Sequence, residues 1–179
     1  MTVEIWRERI VQMSLIKQEI ARVDVEGLWP WHLPSVGAKE DEISRAEALI
    51  GERLDESYRA FLTLANGWVG FLQVVDLFGC SDLAAGSRWM RAQELLHELD
   101  TNVYRLLELG PQDLLPVAAS VEELDLFVMT RRHARVPGRI IWLAQDVVDT
   151  FPSFDEYFLA MMDYNRREYA TLLREHSTH

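Results

Sequence analysis

The chain predicts an α+β fold: a central, mostly antiparallel sheet flanked by helices, with an extra helix at the N-terminus. Three observations carry this. Apolar residues recur at three- and four-residue steps in the first third of the chain and again at its end, the period of helices that bury one face. Between Trp68 and Leu143 short aromatic and β-branched runs without that period appear, as strands require. The last three of these runs are joined by connections of hairpin length, which favours an antiparallel meander over crossover units.

The first helix spans Val3 to Val23, with Val3, Trp6, Ile10, Met13, Ile16, Ile20 and Val23 inward and Glu4, Arg7, Glu8, Lys17 and Glu19 on the other sides. Gly27, Pro30 and Pro34 then break regular structure around Trp29 and Trp31. Those two tryptophans either fold back on the core or form a contact surface. Ile43, Ala46 and Ile50 line a second helix that Gly51 can end in a left-handed turn. Asp55 can cap a third, whose stripe is Tyr58, Phe61, Leu62 and Ala65. Asn66-Gly67 closes it, since both residues tolerate positive φ.

Trp68 to Phe78 supplies one or two strands. Ser87 is the expected cap of a helix that buries Trp89, Ala92, Leu96, Leu99 and Val103 and runs raggedly to Gly110. Strands follow at Leu114 to Ala118, Leu124 to Thr130 and Arg139 to Leu143. Ser153 with Glu156 opens a closing helix that buries Phe154, Tyr157, Phe158, Met161, Met162, Tyr169 and Leu172. The expected organisation is a helix and Trp/Pro-rich loop over residues 1–40, packed on a domain over residues 41–179. Tyr58, Phe61, Leu62, Trp68, Phe71, Trp142, Phe158 and Met161 should be core.

The 179 residues are 49% hydrophobic and 26% charged, which excludes disordered and fibrous classes. No apolar run approaches the roughly 20 residues of a membrane span, and the charged start lacks a signal core, so a cytoplasmic protein is expected. A single cysteine, Cys80, excludes an internal disulfide and any multi-cysteine metal site. The net charge is -11, which makes nucleic acid a poor partner and a basic protein a better one.

A search for catalytic spacing finds little. Glu94 and His97 are half of a helical di-iron pattern whose second half is absent. Ser14 and Lys17 match a serine–lysine motif in letters only. Cys80 after an apolar strand reads as a small buried hydrophobe, and no glycine-rich phosphate loop is present. His176 and His179 fall in the tail. The expectation is no catalytic residue, no metal and no cofactor.

Ile50, Gly51, Leu54, Tyr58, Phe61, Leu62, Asn66, Gly67 and Phe71 form a pattern: a helix ending near glycine, a leucine before a Tyr-x-x-Phe-Leu helix, then Asn-Gly and an aromatic strand. It resembles the SMI1/KNR4, or SUKH, superfamily. Leu115-Pro116-Val117-Ala118 is similar to the family's second strand region, and Phe151-x-Ser153-Phe154-x-x-Tyr157 to the entry of its closing helix. The likeness covers roughly Glu42 to Met162. Asp55 stands where the family commonly has proline, and Glu122 to Asp125 where it usually has a Gly-Asp turn. The resemblance implies a non-enzymatic immunity protein that binds a cognate polymorphic toxin, often a nuclease. The alternative it leaves open is an interaction or scaffold module without a toxin partner.

Charge distribution sharpens the expectation. From Ala92 to Leu126 eight acids (Glu94, Glu98, Asp100, Glu108, Asp113, Glu122, Glu123, Asp125) face one base, Arg105. Arg131, Arg132, Arg135 and Arg139 follow as a counterweight, so the molecule should be electrically polar. Glu98, Asp100, Glu122, Glu123 and Asp125 are the expected partner-facing residues, with the Trp29–Trp31 loop as a second contact surface; a merely solvated face is the competing account.

Overall fold

A computed structural model describes residues 3–176; His179 lies outside them. Six helices and six strands follow one another as α1 (Val3–Val23), α2 (Glu40–Ile50), α3 (Glu56–Leu62), β1 (Trp68–Leu72), β2 (Val75–Leu77), α4 (Gly86–Glu98), α5 (Thr101–Leu107), β3 (Leu114–Ser120), β4 (Leu126–Thr130), β5 (Ile140–Ala144), β6 (Asp146–Phe151) and α6 (Phe154–His176). The strands form one sheet in sequence order, every pair antiparallel. The fold is thus the α+β meander that the strand spacing implies, with the sheet one strand wider. Asp146 to Phe151 carries only half-buried or exposed side chains until its last residue, so its apolar signal is weak, as on many edge strands.

Leu54 and the apolar stripe of α3 are buried, and Asp55 caps that helix by accepting from the amides of Ser57 at 2.9 Å and Tyr58 at 3.2 Å. Gly51 ends α2 at φ 77°. Of the Asn66-Gly67 pair, only Gly67 is left-handed. Asn66 instead accepts a hydrogen bond from the Cys80 amide through Oδ1, at 2.7 Å. Its carbonyl lies against Gly79, where an added Cβ would come within 2.3 Å of it, so two chain crossings meet with no room for a side chain.

Two layers cover the sheet. On one face α1, α3 and α6 enclose an aromatic cluster: Trp6 lies 5.1 Å from Phe158 and 5.7 Å from Phe61, and Phe71, Phe127 and Phe151 reach Phe158 or Tyr157 from the strands. On the other face α4 crosses β3, all of whose side chains are buried. The expected core is buried throughout except Trp142, which is half-buried against Phe127 and Tyr164.

Three local readings are corrected. Lys17 does not sit on the solvent side of α1: it is 2% exposed and donates to the Gly70 carbonyl. It lies four residues past Met13, on the helix's inward stripe, and burial lowers its pKa to about 8. Ser87 does not cap α4, whose N-cap is Ala85 without a side-chain bond. Nor does that helix run raggedly on, because Asp100 starts a new helix by accepting from the Asn102 amide at 2.7 Å.

Residues between α1 and α2 strap the outer edge of β1. Ser35 donates to the Gly67 carbonyl at 3.0 Å, the Trp68 indole donates to the His32 carbonyl at 2.8 Å, and Val36 bridges Ala65. Gly70, at φ 62°, lets Pro30 approach until a Cβ would meet it at 2.8 Å. The far edge, β6, has no such cover, but the amides of Val147 and Thr150 donate to the carboxylates of Asp146 and Asp149, each at 2.7 Å. Those donors are therefore not free to recruit another strand.

Candidate functional site

The register places the turns β1–β2, β3–β4 and β5–β6 at one end of the sheet. Val75 pairs with Ser120, Leu126 with Leu143, and Ala144 with Asp146. At this turn end the residues from Val121 to Leu124 are all exposed. The turn is held from three sides. The Glu123 amide donates to Ser120 Oγ at 2.9 Å, the Ser120 amide to the Asp125 carbonyl at 2.9 Å, and Arg91 to the Glu123 carbonyl at 3.3 Å. Arg91 also lies 3.5 Å from Glu94, so the end of α4 and the β3–β4 turn meet around one arginine.

Glu98 is exposed beside the same turn and shares with Leu124 the lining of a small hollow. The carboxylates of Glu98, Glu122 and Glu123 have neither an ion pair nor a hydrogen bond among the described residues. Three of the five expected acids thus lie at one end of the molecule without ion pairs, with Arg91 held on the backbone of the same turn. The other two are diverted. Asp100 is the α5 cap just described, and Asp125 accepts from the Trp142 indole at 2.6 Å. Asp146, at the start of β6, is an exposed acid of this end that sequence reading missed along with its strand. Trp29 and Trp31 belong to the strap on the α6 side. The Trp29 indole donates to Glu168 of α6 at 2.9 Å, while Trp31 is 41% exposed. They do not join the acids.

At the opposite end the β4–β5 loop carries the arginines, of which Arg131 and Arg135 are paired, while Arg132 and Arg139 make no ion pair among the described residues. Arg131 pairs with Glu52 at 2.8 Å and donates to the Ile50 carbonyl at 3.1 Å. His133 lies 3.1 Å from Asp113, and Arg135 2.9 Å from Glu108. Two of the eight acids counted above are therefore spent on this loop. A hollow of about 240 Å³ opens here over Leu54, Leu115 and Met129, rimmed by Glu52, Asp55 and Glu56 against Arg53, Arg131 and Arg132. Its charges balance, so it favours neither a cation nor an anion.

The remaining chemistry is muted. Burial pushes the Cys80 thiol up to about 11, with Glu42 adding to the shift, so it stays protonated and a weak nucleophile near neutral pH. Burial likewise raises Tyr58 and Tyr157 above the usual phenol range. Among the described residues no three His, Cys, Asp or Glu side chains are grouped to hold a metal, and no helix is long and apolar enough to cross a membrane.

Comparison with family models gives a match over residues 37–160, more than half of the chain, to the SMI1 / KNR4 family (SUKH-1). No curated protein matches the chain.

Proposed function

Because the chain belongs to the SMI1/KNR4 (SUKH-1) family, we propose that it is a cytoplasmic immunity protein, which neutralises a cognate toxin by stoichiometric binding and not by turnover. The observation that carries the reading is the turn end of the sheet, where Glu98, Glu122 and Glu123 face solvent without ion pairs, Arg91 being engaged by Glu94 and the turn backbone, while at the loop end Arg131, His133 and Arg135 each meet a carboxylate. Exposed like charges repel one another and add little to folding, which leaves their field available to an oppositely charged partner. A toxin that acts on nucleic acid carries a basic cleft, because its substrate is a polyanion. An acidic surface on a preformed scaffold meets such a cleft quickly and excludes the substrate from it.

The test is to purify the chain with the product of the gene beside its own and measure association at two salt concentrations. The expected result is a one-to-one complex whose association rate falls steeply with salt, together with protection of cells that express the toxin. Reversing Glu98, Glu122 and Glu123 to lysine should cut the association rate at low salt by about 10-fold or more and abolish protection. A complex with unchanged kinetics after the reversal would overturn the acidic face as the contact. Failure of the wild-type chain to bind or protect would overturn the immunity reading itself.

A further inference from the structure

We infer that the hollow beside the β3–β4 turn is a socket for one aliphatic side chain of a basic protein partner; this rests on the acidic turn end being the contact face. The hollow is lined by Leu95, Leu99, Leu124, Leu126, Leu143 and Gln145, with Glu98 on its rim. Leu126 and Leu143 are adjacent to Phe127 and Trp142 in their strands and therefore face the opposite side of the sheet, toward α4. They form a floor that is 1% exposed, whereas Leu124 stands at the lip with 39% of its surface in water.

The space is small, about 50 Å³. Its size suits the end of a leucine, isoleucine or methionine, and its floor is apolar, with Glu98 and Gln145 the polar members of the lining. The turn needs no ordering on contact, since Ser120, Asp125 and Arg91 already hold its backbone, and a preformed surface loses less entropy when it binds. Val121, 59% exposed on the same turn, widens the apolar contact.

Charge complementarity names the rest of the partner. Glu98 on the rim and Glu122 and Glu123 on the turn make no ion pair, and Arg91 is engaged by Glu94 and the Glu123 carbonyl, so the residues flanking the inserted side chain are lysine or arginine.

The test is a solution NMR titration of the isotope-labelled protein with two short peptides. One has a single leucine between flanking lysines and arginines; the other has alanine in its place. The expected shifts are confined to residues 94–99, 121–126 and 143–146, and the leucine peptide binds about fivefold more tightly. Leu124→Ser should erase that preference while leaving the salt-sensitive binding common to both peptides, and the spectrum itself reports that the variant is folded. Equal affinity for the two peptides would overturn the socket and leave the acidic face standing. Shifts centred on the Arg131–Gly138 loop, or no binding by either peptide, would overturn both.

Discussion

The two ends of the sheet handle charge in opposite ways. At the loop end Arg131, His133 and Arg135 each find a carboxylate from an element distant in sequence. At the turn end Glu98, Glu122 and Glu123 find none. The first arrangement joins α2, α5 and the β4–β5 loop, and its largely buried pair, Arg131 with Glu52, contributes to the fold, whereas the exposed pairs add little. The second contributes nothing to the fold and leaves its field available to a partner. A count of charges along the sequence treats the two alike, and only the pairing separates them.

The largest effect belongs to the closed end, where the crossing of Asn66 and Gly79 leaves no space for a Cβ. In Gly79→Ala the new methyl would overlap the Asn66 carbonyl, a backbone atom that cannot swing aside. The expected loss is about 3 kcal/mol, in the range of overpacked interiors, read from chemical denaturation. A loss below about 1 kcal/mol would show that this end yields more easily than its packing implies.

Arg131→Met comes next. It leaves Glu52, 15% exposed in its side chain, without its cation, and the Ile50 carbonyl without a donor. Removing one partner of a largely buried pair costs more than the pair is worth, because the remaining charge stays desolvated. A loss of about 2–3 kcal/mol is expected. Replacing Glu52 with glutamine in the same variant should recover part of it. No recovery would mean that Arg131 acts mainly through its packed stem.

Much of this fold was legible in the sequence because packing writes itself as period. The stripe on α3 and most of that on α6 are buried, as is the centre of the α1 stripe at Trp6, Met13 and Ile20, whereas Val3 is exposed and Ile10, Ile16, Val23 and Tyr169 are half-buried; the hairpin spacing of β3 to β5 holds. The family pattern fell on the α2–α3 turn and β1, where Gly51, Asp55 and Gly67 have specific backbone roles. What stayed hidden depends on contacts between distant residues. Lys17 looks like any surface lysine until Gly70 supplies its carbonyl. Asp100 and Asp125 look like free acids until one caps a helix and the other meets Trp142. The convergence of Glu98 with Glu122 and Glu123 needs α4 to cross the sheet, which no local pattern encodes.

Lys17 tests the rule about unpaired charge from the inside. Burial lowers its pKa from the ordinary 10.5 of an exposed lysine to about 8, so between those values the unfolded chain binds more protons and stability rises with pH. Below pH 8 the full cost of burying the ammonium is present. Cys80 opposes this as the pH nears its ordinary value of 9.0, because burial holds its thiol protonated up to about 11, so the effect is read as a difference between variants. From pH 8 to 9 the wild type should gain about 1 kcal/mol relative to Lys17→Met, which itself should fall slightly through Cys80. A rise of the same size in both would assign the effect to another group.

The smallest effect on stability is expected from reversing Glu98, Glu122 and Glu123 to lysine, and that smallness is the point. None of the three carboxylates makes a bond that folding depends on, so midpoint and slope in denaturant should change by less than about 0.5 kcal/mol equivalent. At low salt the change should tend toward stabilisation, since it lowers the chain's net charge of -11, and about 0.1 M salt should shrink it. Asp125 is left out of the set because its reversal would break the bond to Trp142; Asp125→Lys alone should therefore destabilise where the other three do not. A triple variant that unfolds as readily as Arg131→Met would erase the contrast between the two ends. A triple variant that stays stable while its association with a basic partner collapses ties the unpaired acids to recognition and the paired ones to the fold.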